Sequence, residues 1–460
     1  MILTTVAYKN GAPLVTKADV PVLEEAALIG EKEWEVVGLY PEFEYQTFRG
    51  CGTALTESAC YLLDRLAPEE RESLLRLWFG EGGVDARFIR CHLDSCDYSL
   101  TEYQAVADVL SDPEFETFTI ERDLRSVIPT VLEAVRMSGG KARVMLSPWS
   151  PPAEWKTPPT QIADGRLPEN EPPSRNRGGK LKPEFYASWA KYIAKYVKAW
   201  LDAGVPVTML TPQNETIAAN DWDSCVWTAG EMKIFVRDHL APALRAAGVD
   251  GRVGLYAWDH NKEHMLEHLD ALIDGETAPL FDGVAYHWYT GDHFEALGLT
   301  AGKHPQFTLI HSESCPLHPP THGVELDDAL AYAHDMLGDL NHGMEGWIDW
   351  NITVDRRGGP RHTPGGFSAP VVCEDRGGYT KQLAYEFIKL FSEIVVPGSV
   401  RIASSAYGQG IEAAAVRRPD GALGVLLLNL SNRPSALSVR AEGRVAELTV
   451  PAKGMAGCVI

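Results

Sequence analysis

The chain has 460 residues, of which 45% are hydrophobic and 23% are charged, and this is the composition of a globular protein rather than a disordered or fibrous one. The chain is longer than a domain built around one ordinary hydrophobic core, but its length suits an α/β barrel of about 250 to 400 residues with a smaller domain attached. The formal net charge of −21 repels phosphate backbones and anionic lipid headgroups, so we expect neither nucleic acid nor a membrane as a partner.

The first residues and the cysteines favour a cytoplasmic protein. The start, "MILTTVAYKN", has neither the basic nor the apolar region of a signal peptide, and no window approaches the roughly 18 apolar residues of a spanning helix. Eight cysteines are too sparse for a disulfide scaffold, and we expect reduced thiols. We therefore expect a cytoplasmic location, and leave a homo-oligomeric state open.

From residue 47 onward, short apolar segments alternate with amphipathic helical patterns, which is typical of parallel strands joined by crossover helices. Eight strands are predicted, and eight is the number that closes a barrel. We therefore predict a (β/α)8 barrel over residues 47–385. The predicted strands are 47–52, 86–93, 142–147, 207–215, 252–259, 283–289, 307–313 and 346–351.

Two other regions do not follow the alternating pattern. The stretch 151–182 is rich in Pro and Gly and longer than an ordinary loop after a barrel strand, so we expect it to shape a binding site. After about residue 386 the pattern changes to short strands with turn signals. Residues 1–46 carry no strong helix, and we expect them to join residues 386–460 in an all-β sandwich side domain.

Two glutamates end predicted barrel strands that otherwise read as buried. Glu215 closes "VTMLTPQNE", directly after Asn214, and Glu313 closes "FTLIHSE". Catalytic groups of a barrel lie at the C-terminal ends of its strands, where side chains leave the packed interior. Most glutamates are surface groups, but two carboxylates facing each other across a barrel mouth are the equipment of glycoside hydrolysis.

Aromatic residues at other strand ends support a sugar ligand, because the C–H faces of a pyranose stack on aromatic rings. Trp149 and Trp350 each come just before a polar loop, whereas Trp258 and Trp347 fit a core position equally well. His287 and Tyr289 belong to the string "AYHWY". We therefore expect a small carbohydrate as substrate.

Seven strings in this order resemble those of glycoside hydrolase family 30, the glucosylceramidase-like enzymes. They run from about residue 47 to the C-terminus: "GTALTESA", "IRCHLDSCDYSL", "LSPWSPPAEWKT", "LTPQNE", "AYHWY", "HSES" and "GWIDWNIT" with the following "GGP". Each is short, but seven ordered matches are specific.

The resemblance implies a (β/α)8 barrel with an attached β-sandwich and a retaining mechanism without a cofactor or metal. Glu215 would be the acid/base and Glu313 the nucleophile. The implied substrate-binding residues are Asn214 at the sugar 2-OH, His287 and Tyr289 near the nucleophile, Arg90 beside Glu313, and Trp149, Trp350 and Glu57 around the non-reducing sugar. Glu57 stands where close relatives have Asp, and Thr216 follows Glu215 in place of a frequent Pro.

Weaker patterns leave alternatives open. His260, His264 and His268 have the spacing of one helix face and could hold zinc, although a solvated face is the simpler interpretation. The histidines of "HSESCPLHPPTHG" are a further candidate, but its prolines oppose helical ligand spacing. Asp94 and Asp97 could compete as catalytic acids, although a role in orienting the site fits them better.

The sequence therefore predicts a retaining, exo-acting β-glycosidase for short β-glucosides, β-xylosides or β-fucosides. An endo-acting glucanase or xylanase of the same family is one alternative. The other is a catalytically silent carbohydrate-binding protein, which would need the tryptophans but not both carboxylates.

Overall fold

The computed structural model describes residues 1–24, 35–160, 171–321, 323–408 and 410–460. Within them, eight parallel strands form a closed barrel and a second, mostly antiparallel sheet lies beside it. No helix of the described residues is both long enough and apolar enough to cross a membrane. All the cysteines are buried and free.

The N-terminal strands belong to the second sheet. They are β1 (Ile2–Lys9), β2 (Ala12–Asp19), β3 (Leu23–Glu24) and β4 (Val36–Thr47). The barrel strands follow as β5 (Gly50–Ala54), β6 (Phe88–Leu93), β7 (Arg143–Pro148), β8 (Val207–Leu210), β9 (Gly254–Asn261), β10 (Gly283–His287), β11 (Thr308–Glu313) and β12 (Gly346–Asp349).

Neighbouring barrel strands follow chain order, and β12 closes the ring on β5 with Gly346 opposite Gly50. The inside of the barrel is filled by apolar side chains from successive strands, namely Phe88, Met145, Met209, Tyr256, Ala285, Ile310 and Ile348. This packed interior leaves the C-terminal ends of the strands as the place for a site.

The helices surround the barrel. They are α1 (Glu57–Leu63), α2 (Pro68–Phe79), α3 (Glu121–Arg125), α4 (Val127–Met137), α5 (Tyr186–Asp202), α6 (Ala229–Phe235), α7 (Ala241–Ala246), α8 (Met265–Leu272), α9 (Phe294–Lys303), α10 (Glu325–Asn341) and α11 (Leu383–Ile394). A π-helical turn, Val236–Leu240, joins α6 to α7, and short 3-10 turns occupy Ala153–Trp155, Pro183–Phe185, Lys262–His264 and Ala278–Leu280. The face of α5 that carries Trp189, Ile193 and Trp200 is buried, as its 3.6-residue spacing predicts.

The remaining strands are β13 (Val354–Asp355), β14 (Val371–Cys373), β15 (Tyr379–Lys381), β16 (Val400–Tyr407), β17 (Ile411–Arg417), β18 (Leu423–Asn429), β19 (Ser435–Ala441), β20 (Arg444–Val450) and β21 (Gly454–Val459). The first three of them form a small separate sheet. In the second sheet β1 pairs with β21, and β4 lies between β16 and β19. That sheet therefore takes strands from both ends of the chain.

The predicted barrel strands agree with the observed ones, apart from their ends. The largest difference is in β8, which stops at Leu210 rather than continuing to Glu215. Pro212 has no backbone N–H for a sheet ladder, and the next residues leave the barrel wall. The binding-site prediction for 151–182 falls partly on residues 161–170, which lie outside the described residues.

The prediction that His260, His264 and His268 share one helix face is wrong. His260 lies near the end of β9, whereas His268 lies on α8. Both are buried rather than solvated, and both pack against Trp258, whose ring centroid is 5.3 Å from that of His260 and 4.6 Å from that of His268.

Candidate active site

The two strand-end glutamates face one small cavity at the C-terminal end of the barrel. Glu215 lies just beyond β8, and Glu313 is the last residue of β11. The cavity has a volume of about 190 Å³ and is lined by Asp97, Trp149, Asn214, Glu215, Ala218, Asn220, Trp222, His260, Asn261, Tyr289, Glu313, Leu317 and Phe367. The two buried glutamates therefore line the same pocket.

Glu313 is held by two strong donors. Arg90 on β6 donates a short hydrogen bond to Oε2, and the Tyr289 hydroxyl donates to Oε1 at 2.8 Å. Hydrogen bonds from a guanidinium and a phenol stabilise the charged form of a carboxylate. This arrangement holds both oxygens of the Glu313 carboxylate in place at the cavity.

Arg90 is fully buried, and a carboxylate that the sequence analysis did not single out holds it in place. Its Nη2 donates to Asp259 Oδ2 at 2.9 Å and to Asn214 Oδ1 at 2.8 Å. Asp259 also accepts from Thr211 Oγ1 at 2.6 Å and Ser312 Oγ at 2.7 Å. Burial alone would raise the pKa of Asp259, but the charge of Arg90 and the contact with the His287 ring hold it far below its usual range.

Glu215 lies in a different environment. Asn220 Nδ2 donates a short hydrogen bond to Oε2, and the Nδ1 atoms of His260 and His287 each lie 3.9 Å from Oε1. That separation allows a charge attraction but is too long for a hydrogen bond. Burial alone would raise the pKa of Glu215, but the two histidines and Asn220 together lower it.

His287 is the cation at the centre of these carboxylates. Burial would lower its pKa, but the Glu313 charge, the 3.1 Å contact of its Nε2 with Asp259 Oδ1 and the nearby Glu215 raise it to about 9. The pKa of His260, in contrast, is lowered, first by burial. The site therefore places one protonated and one neutral imidazole beside Glu215.

Two tryptophans form an aromatic wall beside Arg90. The rings of Trp149 and Trp350 stack with centroids 5.4 Å apart, and the Arg90 guanidinium carbon lies 4.9 Å and 5.6 Å from their centroids. Trp149 lines the cavity, whereas Trp350 packs behind it. Trp149 is thus the tryptophan of this pair that borders the cavity.

The structure does not place Glu57 on the cavity. Its carboxylate is held by Arg122, through Nε at 2.6 Å and Nη2 at 2.8 Å, and by the backbone N–H of Leu100 at 2.8 Å. Apart from Glu215 and Glu313, the acidic residue that lines the cavity is Asp97, in the loop after β6. The expectation that Glu57 contacts the non-reducing sugar therefore lacks structural support.

Asp97 lies against a second buried arginine. Arg361 Nη2 is 3.1 Å from its Oδ2, and the guanidinium is sandwiched among the rings of Tyr98, Trp222 and Phe367. Burial, together with the charges of Glu313 and Glu215, raises the pKa of Asp97 to about 7 despite this arginine. Asp97 can therefore change protonation near neutral pH.

Several residues of the site were missed or underrated by sequence reasoning. Asp259 and Asp97 each carried a weak signal, because an Asp beside apolar strand residues is costly unless it is paired. Asn220, Trp222 and Phe367 lie in loops without a periodic pattern, so only their folded position shows that they line the cavity.

Two clusters within the described residues have the composition of a metal site. The first is Glu215, His260 and His287, and the second is His311, Asp335 and Asp339. In the first, His287 Nε2 already lies 3.1 Å from Asp259 Oδ1 and the pKa of His287 is raised to about 9, so a metal ion would have to displace a proton from this ring. In the second, the Lys262 ammonium already contacts both aspartates, at 2.6 and 2.9 Å.

The chain matches two family models and several proteins over most of its length. Residues 48–395 match the glycosyl hydrolase family 30 TIM-barrel domain, and residues 398–457 match the family 30 beta sandwich domain. The chain is 28% identical to the lysosomal acid glucosylceramidase of Mus musculus, with 87% of this chain and 78% of that protein covered. It is 24% identical to the endo-1,6-beta-D-glucanase neg1 of Aspergillus fumigatus, with 84% and 78% covered. The crystal structure of SrfJ from Salmonella typhimurium superposes with a TM-score of 0.89 at 27% identity, with 100% of this chain and 99% of that one covered.

Proposed function

Because this chain belongs to glycoside hydrolase family 30 and is therefore a glycosidase, we propose that it acts as a retaining, exo-acting β-glycosidase on short β-glycosides. The observation that carries the proposal is the pair Glu215 and Glu313 on one cavity, each with different partners. In a retaining enzyme one carboxylate attacks the anomeric carbon and the other first donates and then accepts a proton.

The neighbours of Glu313 and Glu215 assign their catalytic roles. Glu313, bound by Arg90 and Tyr289, is the nucleophile and forms the covalent glycosyl intermediate. Glu215 has amide and imidazole neighbours instead of a guanidinium, so it can exchange its proton. It protonates the leaving oxygen in the first step and deprotonates water in the second.

Asn214 and Trp149 bind the sugar. The Asn214 carbonyl oxygen accepts from Arg90, so its amide nitrogen is free to turn toward the cavity and donate to the 2-OH of the sugar. Hydrogen bonds at this hydroxyl strengthen in the transition state and contribute several kcal/mol. Trp149, which lines the same cavity, supplies an aromatic contact to the sugar.

The size of the cavity supports exo action. At about 190 Å³ it is smaller than the roughly 300 to 1,000 Å³ of sites for drug-sized ligands, which fits a single sugar ring better than a run of them. Trp222, Leu317 and Phe367 stand on its walls. Endo action would require an open groove on both sides of the carboxylates.

Product analysis on a defined oligosaccharide tests this proposal. We expect the purified protein to release only monosaccharide from the non-reducing end of a β-linked glucose tetramer labelled at its reducing end. Tetramers with β-1,3, β-1,4 and β-1,6 bonds, alongside nitrophenyl β-glucoside, β-xyloside and β-fucoside, define the sugar and the linkage. Early release of labelled dimer would instead establish the endo action that the name of the Aspergillus relative describes.

A further inference from the structure

A cluster of buried charges lies directly behind the nucleophile, on the side away from the cavity. His311 on β11 is two residues before Glu313, and Asp335 and Asp339 approach it from α10. Lys262 follows the last residue of β9. All four side chains are buried, and the proposed mechanism gives none of them a role.

The contacts of His311 point from the cluster to Glu313. Its Nδ1 lies 2.8 Å from Asp339 Oδ2 and 3.2 Å from Asp335 Oδ2. Its Nε2 lies 3.0 Å from the backbone carbonyl oxygen of Glu313. The same ring therefore joins two carboxylates of α10 to the main chain of the nucleophile.

These contacts define the protonation of His311. Both ring nitrogens face oxygens that can only accept, namely carboxylates on one side and a carbonyl on the other. A neutral ring would turn a lone pair toward one of them, whereas an imidazolium donates to both. Burial alone would lower the pKa of His311, but Asp335 and Asp339 raise it.

Lys262 completes the charge balance of the cluster. Its ammonium contacts Asp335 Oδ1 at 2.6 Å and Asp339 Oδ1 at 2.9 Å, so two cations face two anions. Uncompensated buried charge is costly, and balanced, hydrogen-bonded charges are tolerated. The neighbouring residue, Asn261, accepts from the backbone N–H of Tyr289 at 2.9 Å, so β9 also supports the residue that binds Glu313 from the other side.

The Glu313 carbonyl lies at the edge of the regular sheet pairing. The pairing of β11 with β12 includes Ile310 and His311 but not Glu313, which still pairs with His287 of β10 on its other side. The His311 ring is itself fixed among aromatic rings, with centroids 5.3 Å from Tyr286 and 5.9 Å from Trp347. A fixed donor thus holds the last residue of the strand.

We propose that His311, as an imidazolium anchored by Asp335 and Asp339, is a positioning residue that fixes the backbone of the nucleophile Glu313. This inference rests on the proposed function, because it takes Glu313 as the nucleophile. His311 does not touch substrate. It acts by keeping the Glu313 carboxylate aimed at the anomeric carbon, and a misplacement of about 1 Å at a reacting atom can cost roughly a hundredfold in rate.

Two variants separate positioning from simple support of the fold. In His311→Gln the side-chain amide reaches the place of Nε2 and keeps a donor for the Glu313 carbonyl. In His311→Asn the amide stays near the place of Nδ1, which keeps the contact with Asp339 and loses the one with Glu313. The readouts are kcat and KM on an aryl β-glycoside, and the rate of inactivation by a dinitrophenyl 2-deoxy-2-fluoro β-glycoside.

We expect kcat and the inactivation rate of His311→Asn to fall about 10- to 100-fold, which is the loss seen when a residue that orients a metal ligand is removed. KM should change less than about twofold. His311→Gln should retain most of the wild-type rate. An unimpaired His311→Asn, or equal losses in both variants, would overturn the inference. Mass spectrometry of the labelled wild-type protein separates the two claims: a label absent from Glu313 overturns the proposed function, whereas a labelled Glu313 with an unimpaired His311→Asn overturns the positioning role alone.

A measurement on the wild-type protein keeps the inference testable even if the Asn variant fails to fold. Nitrogen-15 NMR of labelled histidines, with the His311 signals assigned by their loss in His311→Gln, should show a proton on both ring nitrogens at neutral pH. A neutral His311 ring would overturn the inference.

Discussion

At the scale of single residues, the site separates two carboxylates by what surrounds them. Glu313 accepts from a guanidinium and a phenol, whereas Glu215 accepts from an amide and lies near two imidazoles. The lowered pKa of Glu215 has a direct consequence for a proton donor. Glu215 carries its proton only under acidic conditions, so we expect hydrolysis to have an acidic pH optimum.

The pH profile tests the role of Glu215. For an alkyl β-glycoside, whose leaving group needs a proton, kcat/KM should fall as pH rises through the lowered pKa of Glu215. His287→Asn removes the adjacent cation and should move this fall to higher pH, whatever it does to the maximal rate. A dinitrophenyl glycoside is the control, because its leaving group needs no acid. The same fall for both substrates would exclude Glu215 as the acid.

Asn214 makes a separate prediction at this scale. Asn214→Ala removes the proposed donor to the 2-OH, and a lost hydrogen bond to a polar transition state corresponds to about 1.5 to 3 kcal/mol, or roughly 10- to 100-fold in kcat/KM. The 2-deoxy analogue of the same substrate should be affected little. Equal slowing of both substrates would show that the variant acts through Arg90, which Asn214 also contacts.

At the scale of elements, the site is assembled where barrel strands end. Asp94, Glu215, Asp259 and Asn351 all have a positive φ, between 45° and 58°, which is uncommon for residues other than glycine. The backbone N–H of Glu215 donates to the Asp259 carbonyl at 2.8 Å. These residues change the direction of the chain near the ends of the strands, and the change at Glu215 brings its carboxylate to the cavity.

Asp259 joins several barrel strands near their C-terminal ends. It contacts Arg90 on β6, His287 on β10 and Ser312 on β11. Asp259→Asn keeps the shape of the side chain but removes one of the two carboxylates that pair with the buried Arg90. Such a loss typically lowers the free energy of unfolding by about 3 to 5 kcal/mol.

Urea unfolding should show this loss and a parallel loss of activity. Asp250→Asn is the matched control, because Asp250 is largely exposed and its pair with Arg245 spans 3.5 Å, so a change within about 0.5 kcal/mol is expected. A difference of less than about 1 kcal/mol between the two variants would mean that Asp259 does not hold Arg90 in place.

The sequence predicts the strands well and their ends less well. Alternating strands and helices give the barrel, and Glu215 and Glu313 stand out because a carboxylate at the end of a buried strand has a high desolvation cost. The partners of those residues are less visible. Arg122, which takes Glu57 away from the cavity, is 65 residues distant in the chain, and no local pattern links the two.

At the scale of the whole molecule, α11 connects the barrel to the second sheet through close contacts. A side chain on Gly424 would come within 2.9 Å of Ile394, and one on Gly457 within 2.7 Å of the same residue. The glycines therefore let the helix lie directly on β18 and β21. The sequence contains these glycines, but the requirement for glycine is visible only in the folded structure, where Ile394 packs against both positions.

The second sheet illustrates the same limit over the longest distances. Its β4 pairs with β16, so that Leu39 lies opposite Ser404. The sequence predicts that both ends of the chain join in one β-domain, because residues 1–46 carry no strong helix and the residues after about 386 show short strands with turn signals. It does not predict the register, which depends on contacts between segments more than 300 residues apart.

The stereochemistry of the first product tests the central claim most directly. If Glu313 attacks and water then displaces it, two inversions leave the sugar in the β configuration. Proton NMR recorded in the first minutes of hydrolysis of an aryl β-glycoside, before mutarotation, should therefore show the β-anomer as the first sugar formed. The α-anomer as first product would contradict the double displacement and with it the roles of Glu313 and Glu215.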